Sequence, residues 1–191
     1  MAVEEPVYQA SVQQGAFEVR EYPPAIVAEV AVPGAQDAAA NAGFRLLAHY
    51  IFGGNAPRQR IAIPSPVEQS RSGGQSLAMT APVTQFQDGT VWMVRFFMPR
   101  GYTLETLPVP DDPRVRLRAL PQAEMAVVRF SGLAYAGDVA RRTTELEEFM
   151  AARHLRPAGP PVLARYNPPW TLWFLRRNEV MIPVAATHTP P

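Results

Sequence analysis

Proline limits what this chain can fold into more than any other residue. The 191-residue sequence holds 21 prolines, with adjacent pairs at Pro23-Pro24, Pro160-Pro161 and Pro168-Pro169. Each one fixes φ at about −65° and removes a backbone donor. The chain is therefore cut into short extended segments and turns, with room for few helices. Its length suits one domain with a sizeable core, expected to span residues 1–191.

Charge narrows the partners. Lys plus Arg number 18 and Asp plus Glu 17, so no overall field favours nucleic acid or an anionic membrane. With no cysteine in the sequence, disulfides, thiolate nucleophiles and thiolate metal sites drop out together. The start, MAVEEPVYQA, lacks the basic region and apolar run of a signal peptide, and no stretch approaches the roughly 18 apolar residues of a membrane helix. A cytoplasmic protein without a membrane span or a nucleic-acid partner is expected.

The stretch FEVREYPPAIVAEVAV reads as two strands joined at Pro23-Pro24, because Phe17 and Val19 alternate with Glu18 and Arg20. A helix is expected over 35–52, with Gly43, Leu47, Tyr50 and Ile51 inward, Phe44 and Leu46 at the margins, and Asn41, Arg45 and His49 on a polar face. TVWMVRFFMP, 90–99, is apolar at nearly every position and reads as a central strand covered on both faces. RVRLRAL (114–120) reads as a half-buried strand and AEMAVVRFSG (123–132) as the next. A second helix is expected over 137–153, with Val139, Leu146, Phe149 and Met150 inward and Arg141 paired with Glu145. Strands near 162–166 and 179–184 complete an α+β fold. Two βαββ-like halves, about 16–100 and 113–184, imply a pseudo-twofold repeat with two long helices on an antiparallel, curved sheet.

Two phrases echo each other: IAIPSPVEQ (61–69) and LAMTAPVTQ (77–85), separated by SRSGGQS. They read as the two strands of a hairpin. Met79, within the second phrase, reads as core filler rather than a ligand. Chemistry is sparse: there is no GxSxG, HExxH, CxxC or phosphate-cradling glycine loop, and Glu145, Glu147 and Glu148 read as the wet face of the second helix.

Taken together, EEPVY, FEVREYPPAIVAEV, GFRLLAHYIFGGN, LAMTAPVTQ, AEMAVVRFSG, ARYNPPW and RRNEV resemble the SOUL family of haem-binding proteins in order and spacing, over nearly the whole chain. The resemblance implies a non-enzymatic protein with a twofold-repeated, distorted barrel-like fold that binds haem or a metal-free porphyrin, for storage, buffering or transfer. It implies a shallow apolar groove between the first helix and the loop before the last strand. Carried over by position, the helix side is Asn41, Phe44, Leu47, Ala48 and His49, and the loop side is Tyr166, Trp170 and Thr171. An enzyme of tetrapyrrole metabolism is the implied partner. Positions 41 and 49 are often basic in relatives, where they can meet propionates; here they are Asn and His.

Several features carry two readings. His49 is either an exposed helix histidine or an axial iron ligand. His154 suits a helix C-terminus, and His188 lies in a Pro/Thr tail. Trp170, Trp173 and Phe174 either cover one end of the sheet or cover a ligand. Arg176 and Arg177 are either solvated or bidentate to a carboxylate. Two other functions stay open: an effector-sensing module resembling drug-binding regulator domains, and a small-molecule hydrolase, which would need a buried glutamate in the groove.

Overall fold

The protein is described by a computed structural model covering residues 4–56, 74–167 and 171–185. The Pro23-Pro24 break separates β2 (Phe17–Tyr22) from β3 (Ala25–Pro33), and β1 (Gln9–Gln14) precedes them. Helix α1 (Gln36–Ile51) follows, then β4 (Asn55–Ala56), β5 (Val83–Asp88), β6 (Val91–Phe97), β7 (Val109–Pro110) and β8 (Arg116–Leu120). The chain continues through β9 (Ala123–Ser131), α2 (Ala136–Ala152), β10 (Val162–Arg165), a short 3-10 turn (Trp173–Leu175) and β11 (Arg177–Pro183). Among the described residues no helix is long and apolar enough to cross a membrane.

Nine strands form one antiparallel sheet in the order β1-β2-β9-β11-β10-β5-β6-β3-β8, strongly curled into a half-barrel. Strand alternation sorts its side chains onto two faces. On one face, α1 packs Leu47, Tyr50 and Ile51 against Ala28, Val30, Val94 and Phe96. On that same face, α2 packs Leu146, Phe149 and Met150 against Ala126, Val128, Val180 and Ile182. The other face carries a smaller cluster, Val127, Ala164 and Met181, with Tyr22 and Tyr166 beside it.

Both helices fall where the 3.6-residue period puts them, and α1 buries Gly43, Leu47, Tyr50 and Ile51 as expected. Gly43 is required by close approach: a Cβ there would lie 2.6 Å from Val94 Cγ2. On α2, Leu146, Phe149 and Met150 are buried and Val139 is half-buried. Arg141 pairs with Asp138 at 3.1 Å instead of Glu145, which is taken by Arg142 at 2.7 Å.

Three strand-level expectations change. β6 is the seventh strand of nine, and β10 holds the centre. Nor is β6 covered on both faces: Val94 and Phe96 are buried under α1, while Met93, Arg95 and Phe97 on the far face are half-buried. β11 is closed on both faces, buried from Asn178 to Ile182, and so is β3 from Val27 to Val30. The expected hairpin of the two echoing phrases also fails for the part of the second phrase that is strand. Val83, Thr84 and Gln85 lie in β5, whose two edges are taken by β6 and β10. The first phrase lies outside the described residues. Met79 is 37% exposed, because residues 77–82 precede β5 and it is Leu77 and Thr80 that turn inward.

Candidate functional site

Helix α1 presents Asn41, Arg45 and His49 to solvent, with Arg45 Nε donating to the Asn41 carbonyl at 3.2 Å. Of the other helix-side candidates, Leu47 is fully buried. Phe44 is half-buried, edge-on to Phe96 at 5.3 Å, and Ala48 is half-buried beside it. The His49 ring rests over Gly54, its Nε2 2.4 Å from where a Cβ would stand. That ring position depends on glycine.

The loop-side candidates divide. Tyr166 turns to the sheet face away from α1, where its hydroxyl donates to Glu179 Oε2 at 2.7 Å. Its neighbour Arg165 is the residue that points toward α1, with Nη2 3.6 Å from Asp37 Oδ1. Strand alternation leaves one of the two for each face. Thr171 is half-buried, and its carbonyl accepts from Arg176 Nε at 2.8 Å. Trp170 lies outside the described residues, as does His188. His154 follows α2 in left-handed conformation, φ 57°.

The loop between β10 and β11 continues with Leu172, Trp173, Phe174 and Leu175, each between 52% and 62% exposed. Trp173 and Phe174 meet edge to face at 5.6 Å. Trp173 also walls an open cleft of about 280 Å³ with Leu133, Tyr135, Asp138, Arg141 and Arg142. A second open cleft, about 430 Å³, lies between the first turns of the helices and includes Gln36, Gln85, Trp92, Val139 and Pro161.

Sequence reading missed a charged cluster on the face away from the helices. Arg20 and Glu179 are 1% and 0% exposed and joined at 2.8 Å. Arg20 also bonds Glu18 at 2.6 Å and the Tyr22 hydroxyl at 3.0 Å. Glu179 accepts from Tyr166 and, on Oε1, from Arg177 Nε and Nη2 at 3.0 and 2.8 Å, so Arg177 is held by the carboxylate with two donors on one oxygen, and the two-oxygen fork is that of Arg20. The N-terminal stretch crosses this cluster: Glu5 pairs with Arg177 at 2.9 Å, and the Tyr8 ring lies 4.2 Å from the Arg20 guanidinium carbon. Burial pushes the Glu179 carboxyl up, but the hydrogen bonds and charge of Arg20 outweigh it and hold it below the usual carboxylate range. Burial, with the adjoining Glu179 charge, pushes the Tyr166 phenol up. The sequence signals were a charged residue inside an apolar strand, NEVMIP, and an arginine on the wet side of FEVREY.

The carboxylates elsewhere make no metal centre: among the described residues no group of three or more His, Cys, Asp or Glu is placed to hold an ion. The family model for the SOUL heme-binding protein matches residues 3–183. The chain belongs to this family. No curated protein matches it. Solved structures similar to this SOUL protein include a hydrolase from Listeria innocua, at 14% identity and TM-score 0.59 over 92% of this chain and 94% of that one. The EcmrR C-terminal domain is similar at 14% identity and TM-score 0.56, over 94% and 98% of the two chains. EcmrR in its DNA complex is similar at 12% identity and TM-score 0.61, over 93% of this chain and 57% of that one. At such identities the likeness is one of fold.

Proposed function

We propose that this SOUL protein binds haem or a metal-free porphyrin without chemical turnover, as a cytoplasmic store, buffer or carrier that serves an enzyme of tetrapyrrole metabolism. Family membership supports the ligand class. The observation that carries the reading is the run of four solvent-facing apolar side chains, 172–175, on the loop before the last strand. Removing apolar surface from water is worth about 25 cal/mol per Å², so cover on one side of a flat macrocycle supplies several kcal/mol before association costs.

The described residues suit burial better than iron ligation. Bound haem would bring a redox-active iron, and His49 is the imidazole that the family carry-over offers it. That ring would have to leave Gly54 to reach iron. Along α1 the carry-over leaves Asn41, Ala48 and His49 as contact surface, with Phe44 partly available and Leu47 beneath. Turnover finds little support. Glu179, a buried glutamate of the kind a hydrolase would need, is fully enclosed and saturated by Arg20, Arg177 and Tyr166.

Likeness to the EcmrR C-terminal domain favours a second reading, an effector-sensing module. A pseudo-twofold single domain fits either. Exchanging β2 with β8, β3 with β9, β5 with β10 and β6 with β11 turns the order of these eight strands into its own reverse, which supports the repeat.

Titrating the purified protein with haemin and with protoporphyrin, followed by absorbance, tests the reading. Saturable binding of both with similar affinity is expected. Binding of neither removes the tetrapyrrole reading and leaves the effector module.

A further inference from the structure

The cleft beside α2 has a chemistry that the α1 surface lacks. Its apolar members, Leu133, Tyr135 and Trp173, are 39%, 60% and 59% exposed. Flat rings left open to water offer a stacking surface. The rim holds Asp138, Arg141 and Arg142, with Glu145 one turn further along α2.

Each acid is matched by an arginine: Asp138 by Arg141 at 3.1 Å and Glu145 by Arg142 at 2.7 Å. These pairs leave no net charge, but they do not balance in hydrogen bonds. A guanidinium has five N–H donors, and each pair uses a single nitrogen, Arg141 Nη2 and Arg142 Nη1. Arg142 Nε is buried and has no acceptor among the described residues. A buried donor without an acceptor is destabilising. The arginine stays in place over the Phe130 ring, 5.7 Å from its centroid. Both carboxylates are thus engaged, while Arg141 and Arg142 keep N–H groups beyond the one that each pair uses, Arg141 with 61% of its side chain open to water. A ligand that is flat, apolar and edged with carboxylates answers both conditions, and an organic cation answers neither.

We infer that this cleft seats the carboxylate-bearing edge of the tetrapyrrole, with the ring plane against Trp173 and Tyr135 and a propionate on Arg142 and Arg141. This rests on the tetrapyrrole reading and gives it a place, on α2 rather than α1. A cleft of about 280 Å³ takes one edge of a macrocycle, and the exposed residues 172, 174 and 175 extend the apolar surface beyond it.

Protoporphyrin and its dimethyl ester, which keeps the ring and masks both carboxylates, separate the two contacts. Each is titrated into the wild type, Trp173→Ala and Arg142→Gln, with thermal melting of every variant. Wild type is expected to prefer the diacid at least tenfold. Arg142→Gln should lose most of that preference while binding the ester as wild type does. Trp173→Ala should weaken both ligands about tenfold without a change in melting, since its side chain is mostly exposed. If wild type binds porphyrin and a folded Trp173→Ala binds it equally well, the cleft is not the seat, although tetrapyrrole binding stands. An unaltered diacid preference in Arg142→Gln overturns the carboxylate contact. If Arg142→Gln does not fold, Arg141→Gln, at an exposed rim position, carries the same comparison. Absence of any porphyrin binding by wild type overturns the functional reading and this inference with it.

Discussion

Arg20 and Glu179, 159 residues apart, meet in a two-armed ion pair with Nη1 2.8 Å from Oε2 and Nη2 3.1 Å from Oε1. The pair joins β2 to β11 across β9 on the face away from the helices. Breaking one side of a buried pair leaves the other charge stranded, at a cost of about 3–5 kcal/mol. Arg20 keeps Glu18 at 2.6 Å, so Glu179→Gln should destabilise the protein by part of that amount, about 1–3 kcal/mol, in denaturant unfolding. A loss under 1 kcal/mol would mean that solvent reaches Arg20.

The same carboxylate makes stability depend on pH. Its folded pKa lies below its ordinary value, so the stability it adds is fully present above the unfolded pKa of about 4.3 and is lost as pH falls through the folded value. The gap between wild type and Glu179→Gln should be constant from about pH 5 to 8 and narrow below about pH 4. At the alkaline end, burial raises the Tyr22 phenol to about 12. Its contribution is present below the unfolded value of about 10 and is lost as pH rises toward 12. Urea midpoints measured across pH 3–11 check both arms, and a gap that stays flat in acid contradicts the first.

Much of the fold was legible in local periodicity, and the buried charge was not. FEVREY announces a strand and assigns Val19 inward, yet Glu18 and Arg20 read as its wet side, because six residues cannot say what lies over that side. Here Glu179 of β11 reaches Arg20 across β9, and the N-terminal residues Tyr8 and Glu5 cover the cluster. Phase is hidden in the same way. Whether Arg165 or Tyr166 faces α1 follows from the pairing of Arg165 with Asn178, a long-range register that the local sequence does not encode. The solvent-facing side of α1 at Asn41, Arg45 and His49 was legible in the helical period, whereas Leu47, carried over to the groove, is buried; the cleft on α2 was not legible, since it is made by the loop at Trp173 folding beside Tyr135.

Gly43 lets α1 settle onto β6, and adding one methyl should cost stability. In Gly43→Ala the new Cβ would stand 2.6 Å from Val94 Cγ2 and 2.7 Å from Val94 Cβ. Overpacking of this kind typically costs about 1–3 kcal/mol. Val94→Ala leaves a cavity where Val94 was fully buried, and it too destabilises. The double variant should lose less than the sum of the two, because each change makes room for the other. Simple additivity in a melting cycle would show that α1 shifts off β6 instead.

His49 decides between burial and ligation. Its ring lies over Gly54 at the C-terminal end of α1. It stands twelve residues beyond Asp37, the α1 residue that reaches β10, which is roughly 18 Å of helix at 1.5 Å per residue. A macrocycle held at the α2 cleft and the 172–175 surface would then be kept by contacts that do not include His49. On that argument His49→Ala leaves the Soret band of the haemin complex where it was, and haemin and protoporphyrin bind wild type within about threefold of each other, under 1 kcal/mol. The contrary result is equally specific. Imidazole ligation places an axial nitrogen on iron, so its loss would move the Soret band while protoporphyrin binding stayed as it was. A shifted band would establish His49 as the ligand and bring the macrocycle back to the α1 groove.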